Sequence, residues 1–279
     1  MGIWARRSVT PWSLNSDRSS EIESHWSCRM LFRHIFFMRG RMNPRQKFIG
    51  ELNRRGVVVV PLSEPASLLR DAQRAFRGGA GALEVRADYF TVARLKGLRG
   101  LLERLRKRTR LPVILTLRRA GEGGKRLILD RRRMELFCES LPFVDGLDVE
   151  IRPESFSRVM VRRAHAQGRF VILSSHDFKR TPSDSALRHL ADRFRALGGD
   201  LFKVAAHAAS GKDVDRLIRF LNSCRIRHQT VIPMGARWRT ERIGAFRNGS
   251  CLAYGHLGRP TAPGQTSLRD LVSALSGKE

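Results

Sequence analysis

The chain is expected to fold as an α/β protein, one (β/α)8 barrel behind a basic N-terminal extension. Three observations lead there. Eight short apolar runs follow Asn53, most of them separated by stretches with helical spacing. The length of 279 residues suits a single barrel of this kind. Several runs also alternate charged with apolar residues, so one face of the sheet is polar while the other is fit to meet helices.

Val57-Val58-Val59-Val60-Pro61 is an uninterrupted apolar run, as a buried strand requires. Residues 65–77 have helical spacing and stop at Gly78-Gly79. A second strand covers 83–88, and a basic amphipathic helix 92–108. The third strand is 112–118, followed by a helix over 130–141. The fourth strand is 144–151, and its helix, 153–167, is closed by Gly168. Strand 169–175 leads to helix 183–196, closed by Gly198-Gly199. Strand 201–206 leads to helix 213–224. Strands at 229–234 and 250–255 and a helix at 266–275 complete the count. A doubly wound open sheet is the main rival architecture.

The strands carry a second message. Glu84, Arg86 and Asp88 share one face of the second strand; Thr116 and Arg118 share one face of the third. Asp148, Glu150 and Arg152 share one face of the fourth. In a closed barrel these faces point inward near the carboxyl ends of the strands, where barrel enzymes build their sites. The plain alternative, solvated faces of antiparallel strands, fits poorly with helical crossovers.

Lys203 stands alone in the apolar run Leu201-Phe202-Lys203-Val204-Ala205-Ala206. Burial of its amine disfavours the ammonium and is expected to lower its pKa. A neutral amine attacks ketones and aldehydes, which suggests a Schiff-base enzyme. By itself the residue is better read as a snorkelling or ion-paired lysine at a strand end, and it is the rest of the chain that favours the Schiff-base reading.

The formal charge is +27, with arginine supplying all but 8 of the 53 basic residues. Such a field attracts anions: nucleic acid, an anionic membrane or an anionic small substrate. The basic residues are dispersed, without the stripe of interleaved aromatics that specific nucleic-acid binding calls for. Cys28, Cys138, Cys224 and Cys251 form no CxxC motif and lie far from the histidines, so neither a zinc site nor a disulfide framework is expected. Unpaired thiols suit a reducing cytoplasm. No apolar run approaches 18 residues, and no membrane association is expected.

Residues 1–45 differ from the rest: eight arginines stand against three acids, and Trp4 and Trp12 follow no period. Arg33 and His34 interrupt the apolar stretch at 30–38, which is too short and too charged for a signal peptide. The reading is a disordered extension, or an upstream start with true initiation at Met42, and a barrel over 46–279. An amphipathic targeting segment is the alternative.

The ordered motifs spell a further pattern. Glu84-x-Arg86-x-Asp88 is followed by Thr116-x-Arg118-x3-Glu122-Gly123-Gly124, then by Asp148-x-Glu150. Ser175-His176-Asp177-Phe178 with Thr181-Pro182 comes next, and Lys203-Val204-Ala205 lies 27 residues beyond His176. Met234-Gly235, Arg242 and Ala262-Pro263-Gly264-Gln265 complete the set. From about Val57 to the C-terminus the chain resembles the type I 3-dehydroquinate dehydratases, Schiff-base hydro-lyases of the shikimate pathway.

The resemblance implies a (β/α)8 barrel acting on 3-dehydroquinate, an anionic cyclic ketone. Lys203 would form an imine at C3. His176 would take the C2 proton and then protonate the departing C1 hydroxyl, and Glu122 would orient that histidine. Arg242 would pair with the substrate carboxylate, with Thr261 and Gln265 closing over it from a lid loop. Glu84, Arg86 and Arg118 would hold ring hydroxyls and the inner electrostatics. No metal or organic cofactor is implied, and a homodimer is expected. Asp177, His207 and His256 are read as structural, and Asp148 and Glu150 as braces of the interior.

The sequence departs from the family around residues 236–241, where Trp238 and Glu241 stand in place of small residues, and at Thr261, usually serine. Trp238 is expected to add bulk at the barrel mouth, and Glu241 to compete for Arg242. A Schiff-base aldolase on the same scaffold, and a basic nucleic-acid-binding protein on a vestigial barrel, are the competing readings.

Overall fold

The computed structural model describes residues 42–54 and 56–276. Most of the expected extension, residues 1–41, lies outside the described residues. The first helix among the described residues, α1 (Pro44–Arg54), already spans the expected boundary at 45/46.

The core alternates strand and helix. After α1 come β1 (Val57–Leu62), α2 (Leu68–Arg77), β2 (Ala82–Arg86), α3 (Val92–Lys96), α4 (Leu98–Arg108), β3 (Val113–Thr116), α5 (Asp130–Ser140) and β4 (Gly146–Glu150). There follow α6 (Glu154–Ala166), β5 (Phe170–Asp177), α7 (Asp184–Leu197), β6 (Leu201–His207), α8 (Gly211–Ser223) and β7 (Gln229–Met234). The last elements are α9 (Arg239–Arg247), β8 (Leu252–His256), a two-residue β9 (Thr266–Ser267) and α10 (Leu268–Ser276). The single helix expected over 92–108 is broken at Gly97, whose amide closes the first segment by donating to Arg94 and Leu95 carbonyls. Helix starts follow capping chemistry: Thr91 and Ser183 accept from amides three residues on, and Ser210 with Asp213 forms a capping box.

The seven strands from β1 to β7 run parallel, each paired with its sequence neighbours, and β1 also pairs with β8. No backbone ladder joins β7 to β8. That seam is held by Cys251 N donating to Gln229 O at 2.8 Å and by two hydroxyls. Thr230 Oγ1 accepts from Leu252 N at 2.9 Å, and Ser250 Oγ from Val231 N at 3.0 Å. The sheet is therefore a closed barrel and not an open doubly wound layer.

Two apolar clusters result. The larger lies between the outward faces of the strands and the helices, as with Leu83, Val85, Leu115, Leu117, Leu147 and Val149. The smaller fills the lower barrel: Val57, Val59, Ala82, Ile114, Phe170, Ile172 and Leu201, sealed by Phe48 and Leu52 of α1. Phe48 stacks on Phe170 with ring centroids 3.8 Å apart. Burial of such rings contributes on the order of 2–3 kcal/mol each. Above this floor the inward positions turn polar.

Candidate active site

The register sets the polar layers. Asp148 pairs with Thr116 on one side, Ser174 pairs with Lys203, and His176 pairs with Ala205. His176 thus stands two residues above Ser174, about 6.6 Å along the strand, which is roughly one ring-width above the Lys203 layer.

Arg118 and Asp148 form the centre of a buried charge stack. Arg118 Nη2 donates to Asp148 Oδ1 at 2.9 Å, and Nη1 to Glu150 Oε1 at 3.2 Å and to Ser174 Oγ at 2.7 Å. Glu150 is also bound by Arg133, which reaches in from α5. Lys203 Nζ donates to Asp148 Oδ2 at 2.9 Å and to Tyr254 Oη at 3.0 Å, and sits 4.4 Å from the centre of the Tyr254 ring. Lys203 is 4% exposed and Asp148 is fully buried. Each charge has a partner, which is the condition for keeping ions in such a place.

These pairings reverse one expectation. Burial does disfavour the Lys203 ammonium, but Asp148 outweighs it and the amine is held well above its ordinary pKa. Asp148 is correspondingly held far below the usual carboxylate range by Arg118 and Lys203, against its own burial.

Glu122 lies in the turn after β3. Its Oε2 accepts from His176 N at 2.8 Å and lies 3.3 Å from His176 Nδ1. Burial pushes Glu122 up to about 7. Burial, with Arg118 and Lys203 nearby, pushes His176 well below its usual value, so the imidazole is neutral. Gly123, in the left-handed region at φ 84°, lets the turn pass beneath Phe178, whose ring occupies the space a Cβ would need.

Arg242, on α9, has no carboxylate partner among the described residues. Its Nε donates to Pro233 O at 2.8 Å and its Nη2 to Pro263 O at 2.7 Å. Burial lowers it to about 10. Glu241 makes no ion pair with it, contrary to expectation. Trp238 turns away from the main cavity: its indole donates to Ala208 O at 2.7 Å, and its ring lines a separate groove beside His207. The loop over the cavity is tied down at several points. Gln265 Oε1 accepts from Thr261 N at 2.8 Å and from Thr261 Oγ1 at 3.2 Å, and Tyr89 donates to Thr261 O at 3.3 Å. Gly264, at φ 71°, passes so close to Gly235 O and Ala236 that a side chain there would collide.

All nine sequence-predicted site residues line one cavity of about 390 Å³: Glu84, Arg86, Arg118, Glu122, His176, Lys203, Arg242, Thr261 and Gln265. Glu84 accepts from Thr116, and Arg86 makes a two-pronged pair with Asp88 at 2.9 Å on each prong. Asp177 Oδ1 accepts from Lys179 and Arg180 amides, a turn role. Sequence reasoning missed Tyr254, Tyr89 and Phe178 on the cavity wall. Tyr254 is signalled only by its even spacing from Leu252, on the inward face of β8. Among the described residues no group of His, Cys, Asp and Glu side chains converges as a metal site would, and no helix is long and apolar enough to cross a membrane.

Comparison with known proteins gives the same reading of the fold and its kin. The family model for type I 3-dehydroquinase matches residues 57–278. The chain is 30% identical over 231 residues to the 3-dehydroquinate dehydratase of Methanococcoides burtonii, covering 82% of this chain and 97% of that one. It is 31% identical over 227 residues to that of Klebsiella pneumoniae strain 342, covering 75% and 88%. The crystal structure of the type I enzyme from Clostridium difficile with covalently modified comenic acid superposes with a TM-score of 0.74 at 29% identity, over 80% of this chain and 91% of that one. With the closed barrel and its charged cavity, these similarities lead to one conclusion: the chain belongs to the type I 3-dehydroquinase family, a family of hydro-lyases.

Proposed function

We propose that the chain dehydrates 3-dehydroquinate to 3-dehydroshikimate through an imine on Lys203. The observation that supports this best is the pairing of one buried, cavity-lining lysine, Lys203, with one half-buried cation, Arg242, that has no carboxylate partner among the described residues. An anionic ketone satisfies both. Its carboxylate takes the free face of Arg242 in a charge-assisted pair, and its carbonyl meets Lys203.

The ammonium of Lys203 and the C3 carbonyl condense to an iminium, releasing one water. The iminium draws electrons from the C2–H bond. His176, neutral and one layer above, takes that proton, and the electron pair is held as an enamine. The imidazolium is stabilised by Glu122, which touches both its ring and its backbone. It then gives the proton to the C1 hydroxyl, which leaves as a second water. Hydrolysis of the conjugated iminium consumes one water and restores the lysine, for a net loss of one. Thr261 and Gln265 close the carboxylate end, while Glu84 and Arg86 face the ring hydroxyls. Arg118, with its donors committed to Asp148, Glu150 and Ser174, sets the field around the lysine.

The test is ultraviolet absorbance of the conjugated enone product after mixing protein with 3-dehydroquinate, with Lys203→Ala as control. A rise that requires Lys203, with a borohydride-trapped adduct of substrate mass on the parent protein, is expected. Absence of both from folded parent protein would sink the proposal, and retro-aldol fragments in place of the enone would redirect it to an aldolase.

A further inference from the structure

Resting on the Schiff-base reading, the geometry points to Tyr254 as a further catalytic residue, a relay that carries protons between Lys203 and the ketone oxygen during imine formation. The need for one arises from the site itself. Lys203 rests as an ammonium, and an ammonium has no lone pair with which to attack. One proton must leave the nitrogen as the C–N bond forms, and the ketone oxygen must gain one.

Among the described residues two groups accept hydrogen bonds from Nζ: Asp148 at 2.9 Å and Tyr254 at 3.0 Å. Asp148 is fully buried, already accepts from Arg118 and Ser174, and does not line the cavity. It can hold the ammonium but has no path to a bound ketone. Tyr254 lines the cavity. Among the described residues its hydroxyl accepts from Lys203 and donates to none, so its own hydrogen is free to turn toward a ligand. Burial also keeps its phenol protonated, with Lys203 only partly opposing this. His176 stands a layer above Lys203 on the neighbouring strand, with its Nδ1 turned to Glu122, and makes no hydrogen bond to Nζ among the described residues.

The relay acts twice. In the first pass Nζ passes a proton to Tyr254 Oη as Oη passes its own to the carbonyl oxygen. The C–N bond forms, the C=O π bond breaks, and the product is a carbinolammonium bearing the same single positive charge. In the second pass Nζ gives another proton to Oη, and Oη gives its own to the carbinol oxygen. The C–O bond breaks, water leaves, and the nitrogen lone pair closes the iminium. Tyrosine ends as it began, and no charge is created or exported inside the barrel.

The test compares the parent with Tyr254→Phe, which keeps the ring over Nζ and removes only the hydroxyl. Imine formation from 3-dehydroquinate is followed by rapid quenching into borohydride and intact mass, in H2O and in D2O. The variant is expected to reach the same final extent of trapping, with a rate of imine formation lower by about a hundredfold. The parent rate is expected to slow in D2O, since protons are in flight as the bond forms. Equal trapping rates in parent and variant, or a parent rate indifferent to D2O, overturn the relay; the second reading needs no variant at all. A parent that traps no adduct under any condition is a different outcome, which overturns the Schiff-base reading on which the relay rests.

Discussion

One carboxylate oxygen of Glu122 holds His176 at two points, the backbone amide at 2.8 Å and ring Nδ1 at 3.3 Å. The backbone contact fixes the height of the histidine on β5, and the ring contact fixes its face. Near neutrality the pair holds at most one titratable proton, on the carboxyl, because burial raises the carboxyl to about 7 while burial and the nearby Arg118, Lys203 and Arg86 hold the imidazole neutral.

That proton makes a pH prediction. The ordinary value for this carboxyl is 4.5, so between 4.5 and about 7 the folded protein binds a proton that the unfolded chain has released. Stability contributed by Glu122 therefore falls as pH rises through this window, by at most about 3 kcal/mol. Glu122→Gln keeps the acceptor oxygen and cannot ionise. Its denaturant midpoint should gain on the parent's from pH 4.5 to 7, while its turnover falls at least about tenfold. A midpoint difference that stays constant with pH would refute the buried, raised carboxyl.

Asp148→Asn should be the most destabilising of the interior changes. It leaves Lys203 and Arg118 facing each other without their shared anion, and breaking a buried pair typically costs about 3–5 kcal/mol. Urea unfolding at pH 7 measures this. Adding Lys203→Met should return part of the loss, because the orphaned ammonium is then gone.

Arg242→Lys should raise KM for 3-dehydroquinate about tenfold or more and lower kcat less. The guanidinium spans two carbonyls, Pro233 O and Pro263 O, while keeping a free edge. A lysine cannot make that fork. Steady-state kinetics distinguish this from a wholly structural role, which would lower kcat and leave KM alone.

Trp238→Phe should leave KM unchanged and cost about 1 kcal/mol of stability, the usual worth of one hydrogen bond. Its indole serves Ala208 O and a groove apart from the main cavity. A large KM change on this substitution would show that the ring reaches the substrate.

Much of this site was legible before any coordinates. Alternation within the expected second, third and fourth strands placed Glu84, Arg118 and Asp148 on the inner wall, because a strand has only two faces and helices claim one of them. What was not legible came from contacts made at long range. The sign of the Lys203 shift depended on Asp148, 55 residues earlier, whose distance from the amine no local pattern encodes. Tyr254 read as one aromatic in a short apolar strand. The helices α1 and α9 escaped notice because Gly50 and Gly244 interrupt short, arginine-rich stretches with few apolar positions. Their helicity comes from packing, of Phe48 and Leu52 into the barrel floor in the first case and of Ala245 in the second.

The hydroxyls of Thr230 and Ser250 make the join between β7 and β8 a clasp in an otherwise continuous hoop. Changing these two residues would leave the join resting on the Cys251 N to Gln229 O bond, whereas the neighbouring joins are ladders of main-chain bonds. The walls on either side of it carry Val231 and Ile232 on β7, and Leu252 and Tyr254 on β8. The ion pairs of Arg118, Asp148 and Glu150 sit just past the end of β3 and on β4, well around the hoop from the clasp. The charged frame that tunes the lysine thus stands apart from the one join of the barrel that lacks a main-chain ladder.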